Sequence, residues 1–180
     1  MRITVSGLPG SGTTSLSRYL AEHHGFTMIS AGEVFRQLAK EHNMELAVFG
    51  RLAEKDPAFD KMIDARQKEI AQSRDNIIIE GRLSGWMVED ADLKIWLYAP
   101  IGCRIKRIAF RDQVTDEKTA EQLTLERECC EAGRYQSYYS IDIGDLSIYH
   151  LILNSEHWSV EGLGAIVDAA ITHIRLPESP

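Results

Sequence analysis

Short apolar runs rich in β-branched residues alternate with longer amphipathic segments along the whole chain. The apolar runs predict five buried strands, at 3–5, 26–30, 77–79, 93–98 and 149–153. Helical periodicity occupies the intervals, at 13–24, from 31 to about 73 in two or three pieces, and at 101–111, 117–139 and 160–174. Strands that are apolar throughout, rather than at alternate positions, are buried on both faces, as in a parallel sheet covered by helices.

This order of elements predicts an α/β fold with a five-stranded parallel sheet flanked by helices. A chain of 180 residues without an internal repeat or a Pro/Gly/Ser-rich linker fits one domain, here 1–180. Right-handed crossovers between parallel strands bring the carboxyl ends of all strands to one edge of the sheet. We therefore expect the ligands of this protein to bind at that edge.

The composition argues against several classes of protein: nucleic-acid binders, membrane proteins and secreted disulfide-bonded proteins. The net charge of −7 argues against a general nucleic-acid binder, which needs a basic surface. No apolar run approaches the roughly 20 residues of a membrane span, and the amino-terminal residues lack the pattern of a secretory signal. Three cysteines without CxxC spacing form no disulfide framework, so we expect a reduced, cytoplasmic protein.

A glycine-rich loop follows the first predicted strand and leads into the first helix. It matches the phosphate-binding pattern GxxxxGK[ST] at both glycines and at the final hydroxyl, but Thr13 replaces the lysine. Backbone N–H groups in such a loop can surround a phosphate, and Thr14 can ligate Mg²⁺. The candidate phosphate-binding residues are Gly7, Leu8, Pro9, Gly10, Ser11, Gly12, Thr13, Thr14 and Ser15. A glycine-rich turn without a ligand is the alternative.

Several further blocks occur in a fixed order: the runs 30–36 (SAGEVFR), 80–86 (EGRLSGW), 126–128 (ERE) with 134–135 (RY), and 141–149 (IDIGDLSIY). With the loop, they resemble the nucleoside monophosphate kinases, and most closely the archaeal type of cytidylate kinase. The resemblance implies a lobe that binds the nucleoside monophosphate at about 31–73 and a short lid at about 111–127. It also implies transfer of the γ-phosphoryl group of ATP, with Mg²⁺, to CMP or dCMP.

The acceptor side is expected at the ends of the second and third strands. Ser30, Gly32 and Arg36 surround the start of a helix, where the resemblance implies contacts to the α-phosphate and sugar of the acceptor. An N-capping serine beside a surface arginine is the alternative. Arg82 would reach the acceptor phosphate and Glu80 could orient a water bound to Mg²⁺, unless these two form a salt bridge with each other. Arg66 is a further acceptor-site candidate.

The remaining arginines fall into two pairs. Arg107 and Arg111 are four residues apart on one helix, and Arg127 and Arg134 are seven apart on the next, so each pair shares a face. The spacing of Arg127, Glu131 and Arg134 resembles the cytidine-contacting stretch of bacterial cytidylate kinases, in which a carboxylate facing the exocyclic amine would favour cytosine over uracil. The alternative is a surface helix whose arginines are balanced by glutamates.

We therefore expect Arg107, Arg127 and Arg134 to be catalytic, because they could compensate for the missing lysine at Thr13. The expected ligands are ATP, Mg²⁺ and a small-molecule acceptor, bound by a monomer without nucleic-acid or membrane partners. Three other functions stay open: a related kinase acting on AMP, UMP or a small alcohol, a nucleotide-binding protein without turnover, and a nucleic-acid-associated factor.

Overall fold

A computed structural model describes residues 1–44, 48, 49, 52, 56–113 and 116–174. Its strands are β1 (Arg2–Gly7), β2 (Thr27–Ser30), β3 (Ile77–Glu80), β4 (Leu93–Tyr98) and β5 (Leu151–Asn154). Its helices are α1 (Thr13–His24), α2 (Ala31–Glu41), α3 (Pro57–Ser73), α4 (Ser84–Met87), α5 (Ile101–Asp112), α6 (Glu117–Tyr139) and α7 (Val160–His173).

The five strands form one parallel sheet in the order β2-β3-β1-β4-β5, which confirms the predicted fold class. The first strand lies at the centre, between β3 and β4. The chain crosses to one side of β1 for β2 and β3 and to the other side for β4 and β5. In such sheets a crevice opens at the carboxyl end of the strand where the order reverses. The loop after β1 therefore enters the crevice at its deepest point.

Most predicted boundaries agree with the structure to within two residues, and two details differ. The last strand begins at Leu151 rather than 149, because Tyr149 ends a turn in which its N–H donates to the carbonyl of Leu146. The ring of Tyr149 instead packs against Trp96, with the ring centres 5.2 Å apart. Helix α4 was not predicted. It has four residues, too few to show helical periodicity.

Among the described residues, the largest hydrophobic cluster surrounds the sheet, another lies beneath α2 and α3, and three smaller ones accompany them. The main cluster joins β1, β3 and β4 to α1 and α7 through Ile3, Leu16, Ile95 and Val167, which are all fully buried. The second cluster consists of Val34, Leu38, Ala39, Phe49 and Ile63. Helices α2 and α3 thus pack on each other beside the sheet, in the segment expected to form the acceptor lobe.

Helix α6 has 23 residues, more than any other helix of the described part of the chain, and packs on α5. Asp116 caps its amino end by accepting hydrogen bonds from the N–H groups of Lys118 and Thr119. Its inner face contributes Glu131 and Tyr135, which are buried. Among the helices of the described part of the chain, none has the length and apolar character required to cross a bilayer.

Candidate active site

A cavity of about 820 Å³ opens at the carboxyl edge of the sheet. This volume lies within the range of sites that enclose small ligands. Its walls come from the loop after β1, the amino end of α2, the end of β3, and one face each of α5 and α6. Five segments singled out by sequence, far apart along the chain, therefore meet around one space.

The phosphate-binding loop is shaped by its glycines. Gly10 and Gly12 have φ angles of +81° and +96°, in the left-handed region that favours glycine. A Cβ atom on Gly7 would lie 2.4 Å from the carbonyl oxygen of Leu97, so the strand end also requires glycine. Gly12 is the N-cap of α1 and has no side chain to satisfy the first-turn N–H groups. The loop therefore presents these donors together with the positive end of the helix dipole.

The outer side of the loop is held by hydrogen bonds to its carbonyl oxygens. The Arg107 guanidinium donates to the carbonyls of Gly10 (3.3 Å) and Ser11 (3.5 Å), and to both oxygens of Ser155. The hydroxyl of Ser155, which is 2% exposed, donates to the Ser11 carbonyl at 2.6 Å. Arg104 donates to the carbonyl of Pro9 at 3.1 Å. These hydrogen bonds to its carbonyl oxygens hold the loop in its conformation without a bound ligand.

The side chain at the lysine position of the motif bonds to a carboxylate. The hydroxyl of Thr13 donates to Oε1 of Glu80 at 2.7 Å, and both side chains are 8% exposed. Thr14, the next residue, is exposed and lines the cavity together with Glu80. A hydroxyl and a carboxylate are hard oxygen donors of the type that Mg²⁺ selects, so these residues fit the expected metal.

The opposite wall is formed by the start of α2. Ser30 is its N-cap: the side-chain oxygen accepts a hydrogen bond from the N–H of Glu33 at 3.1 Å. The guanidinium of Arg36, one and a half turns along, lies beside Gly32, 3.7 Å from where a Cβ would be. Ser30, Gly32 and Arg36 all line the cavity, as predicted. The capping role that sequence offered as an alternative is also present.

Glu131 links two of the predicted arginines. Its Oε2 accepts from Nε of Arg82 and its Oε1 from Nε of Arg127, each at 2.8 Å. Burial alone would raise the pKa of the Glu131 carboxyl, but attraction by Arg82 and Arg127 and their hydrogen bonds outweigh it, so the pKa is lowered. The carboxylate is therefore ionised at neutral pH. Arg134, one turn beyond Glu131, also lines the cavity.

Four of the predicted site residues do not line the cavity, and Arg66 is the one among them that lies outside the phosphate-binding loop. The Arg66 side chain lies on the exposed face of α3, where it pairs with Glu69 at 2.8 Å. A periodic pattern places a residue on a helix but does not fix which way that helix is turned. Arg111 does line the cavity, and its guanidinium also pairs with Asp112 at 2.6 Å. Gly7, Leu8 and Ser11 shape the loop without lining the cavity.

Sequence reasoning missed three residues that support the site: Arg104, Glu128 and Ser155. Arg104 is 5% exposed and forms an ion pair with Glu128 of α6. A buried arginine is rare unless it is paired, but its burial leaves no mark in a single sequence. The one available signal was its position, one turn before Arg107 on the helix already assigned to the site.

Solved structures that resemble this fold are small phosphate-loop kinases. Shikimate kinase from Bacteroides thetaiotaomicron superposes with a TM-score of 0.67 at 13% identity, covering 96% of this chain and 98% of that one. A gluconokinase from Sinorhizobium meliloti gives 0.62 at 14% identity, covering 95% and 91%. At such identities the likeness concerns the fold alone.

Sequence relatives are much closer. The cytidylate kinase from Methanoregula boonei is 78% identical over 175 residues, covering 97% of this chain and 96% of the relative. The cytidylate kinase from Methanospirillum hungatei is 60% identical over 178 residues, covering 99% and 100%. That from Pyrococcus furiosus is 53% identical over 172 residues, covering 96% and 88%.

The family model described as cytidylate kinase-like matches residues 2–157, which include the phosphate-binding loop, the acceptor wall and both arginine-bearing helices. Together with near full-length identities above 50%, this match shows that the chain belongs to the cytidylate kinase-like family and is a kinase.

Proposed function

We propose that this kinase transfers the γ-phosphoryl group of ATP to CMP or dCMP, giving ADP and the corresponding diphosphate. The observation that carries the proposal is the single cavity, in which a phosphate-binding loop faces a wall bearing Arg36, Arg82 and Glu131. One wall suits a polyphosphate donor and the other an anionic acceptor. The names of the close relatives support cytidylate as that acceptor.

The donor phosphates lie against the loop and the amino end of α1. The N–H groups there are preorganised, because Arg107, Arg104 and Ser155 already hold the carbonyls on the other side of the loop. Binding then requires little rearrangement of the backbone, which lowers the entropic cost of ordering the triphosphate.

Thr14 and Glu80 would hold Mg²⁺ at the inner end of the cavity. When bound, the ion neutralises negative charge on the donor phosphates. Thr13 contributes through Glu80: its hydroxyl donates to Oε1 and holds the carboxylate in place at the wall of the cavity. We assign Thr13 this orienting role, in place of the phosphate contact that a lysine would make.

The acceptor lies against Ser30, Gly32 and Arg36, with Arg82 directed at its phosphate. Arg82 uses Nε to bond Glu131, so its terminal nitrogens are the part of the fork available for phosphate oxygens. No protein nucleophile is required, since an oxygen of the acceptor phosphate attacks the donor directly. The protein contributes alignment of the two phosphates and exclusion of water.

Arg127 and Arg134 supply cationic contacts to the transferred group, and Arg107 adds its charge from the loop, whose Gly10 and Ser11 carbonyls its guanidinium already binds. All three line the cavity, on α5 and α6, the helices of the expected lid. Arginines that stabilise the charge of the transition state contribute about 10³–10⁵ in rate in other phosphoryl-transfer enzymes. We propose that they supply the charge that Thr13 does not.

The site is assembled from one chain, and we propose that the enzyme acts as a monomer on small molecules. All three cysteines have free thiols, which suits a reducing compartment such as the cytoplasm. The net charge of −7 disfavours a nucleic-acid partner.

The proposal is tested by initial rates with ATP, Mg²⁺ and a panel of acceptors: CMP, dCMP, UMP, AMP, shikimate and gluconate. We expect kcat/KM for CMP or dCMP to exceed that for every other acceptor by at least about tenfold, because UMP lacks the exocyclic amine of cytosine, AMP carries a larger base, and neither alcohol carries a phosphate for Arg36 and Arg82. A higher value with AMP or with either alcohol would assign a different acceptor. Tight ATP binding without any acceptor-dependent ADP release would indicate binding without turnover.

Replacing Thr13 tests the role assigned to its hydroxyl. Thr13→Val removes the donor to Glu80 at nearly constant volume, whereas Thr13→Ser keeps it. A hydrogen bond to a charged group contributes about 1.5–3 kcal/mol. We therefore expect Thr13→Val to lower kcat/KM about tenfold or more and to raise the Mg²⁺ concentration for half-maximal rate, with Thr13→Ser close to wild type. Equal Mg²⁺ titrations for both variants and wild type would refute the role.

Glu131→Gln separates two roles for Glu131 within the same acceptor panel. If Glu131 orients Arg82 and Arg127, as its hydrogen bonds favour, loss of the charge raises KM for CMP about tenfold or more and leaves the CMP-to-UMP preference intact. If instead it reads the exocyclic amine, the preference collapses. Glu121→Gln, which removes an exposed carboxylate from the same helix, is the matched control and is expected to change neither quantity.

A further inference from the structure

An ion pair connects the phosphate-binding loop, called the donor loop below, to helix α6, which carries Glu131. Arg104 of α5 and Glu128 of α6 are paired through both terminal nitrogens of the arginine, with their side chains 6% and 15% exposed. Neither residue lines the cavity, so neither can touch a substrate there. Any effect of the pair on phosphoryl transfer must act through its neighbours.

On the donor side, Arg104 contacts the loop in two ways. Its guanidinium donates to the carbonyl of Pro9 at 3.1 Å, and Nε donates to the carbonyl of Ala99 at 3.0 Å. Its backbone packs on Gly10, where a Cβ atom would come within 2.7 Å of the Arg104 carbonyl oxygen. Arg104 therefore contacts the loop through both its side chain and its backbone.

On the acceptor side, Glu128 lies one turn before Glu131 on α6, and Glu131 holds Nε of Arg82 at 2.8 Å. Residues three apart on a helix share a side and keep a fixed separation. A single turn of α6 thus connects the loop carbonyl, through Arg104, to the arginine directed at the acceptor phosphate.

We propose that the Arg104–Glu128 pair is a positioning element that fixes the distance between the donor loop and Arg82, the arginine directed at the acceptor phosphate. The inference rests on the proposed phosphoryl transfer and adds residues outside the cavity to it. In-line transfer depends on the separation of two phosphates, and a displacement of about 1 Å can cost about a hundredfold in rate. When the pair is broken, each nucleotide bound alone still makes the same contacts with its own binding residues, so its affinity changes little.

Glu128→Gln removes the negative charge and keeps the shape of the side chain. We expect kcat with ATP and CMP to fall about 10- to 100-fold, while the dissociation constants of ADP and CMP, each measured alone by calorimetry, change less than about threefold. Glu126→Gln, which neutralises an exposed carboxylate two residues earlier, is the control and is expected to retain wild-type kcat.

In Glu128→Gln, Arg104 is buried without its carboxylate partner, which could prevent folding. A second variant provides a test in that case. Arg104→Met combined with Glu128→Leu removes both charges, and buried pairs replaced together by apolar residues commonly retain stability. This double variant also lacks the bonds to the carbonyls of Pro9 and Ala99, so we expect a folded protein with a lowered melting temperature and at least the same loss of kcat. Wild-type kcat in either folded variant overturns the inference, whereas absence of CMP phosphorylation by the wild type overturns the proposed function instead.

Discussion

The site depends on how the carbonyl oxygens of the phosphate-binding loop are satisfied. Peptide groups that turn their N–H bonds toward a ligand must turn their carbonyls elsewhere, and a buried carbonyl without a partner is costly. Here the side chains of Arg104, Arg107 and Ser155 donate hydrogen bonds to the carbonyl oxygens of the loop residues Pro9, Gly10 and Ser11. Two of these donors come from α5 and the third follows β5, so the loop conformation depends on the assembled sheet.

The same arrangement explains how the chain functions without a lysine in the loop. A lysine at position 13 would place a mobile charge among the phosphates. The hydroxyl of Thr13 instead donates a hydrogen bond to Glu80. The positive charge at the cavity is carried by arginines of α5 and α6, namely Arg107, Arg127 and Arg134. In the proposed reaction this charge already lies beside the phosphate-binding loop, in a site that must exclude water during transfer.

Sequence patterns predicted the parts of the molecule that have a local signature. The apolar runs marked the strands, and the glycine spacing marked the loop, since left-handed backbone at Gly10 and Gly12 needs that residue. Contacts between distant residues had no such signature. Thr13 and Glu80 are 67 residues apart, and Arg104 and Glu128 are 24 apart. Arg66 shows the converse: its helix was predicted, but its direction depends on packing that the pattern does not contain.

We propose simultaneous binding of the donor and the acceptor in one cavity, with their phosphates in line. It is tested most directly with a bisubstrate ligand in which adenosine and cytidine are joined 5′ to 5′ through a pentaphosphate. Linked occupancy of two sites raises affinity by about 10²–10⁴ over either part when the linker spans them. We predict that calorimetry finds this ligand at least about a hundredfold tighter than ATP or CMP alone, with one ligand bound per chain. An affinity no greater than that of ATP would contradict the account.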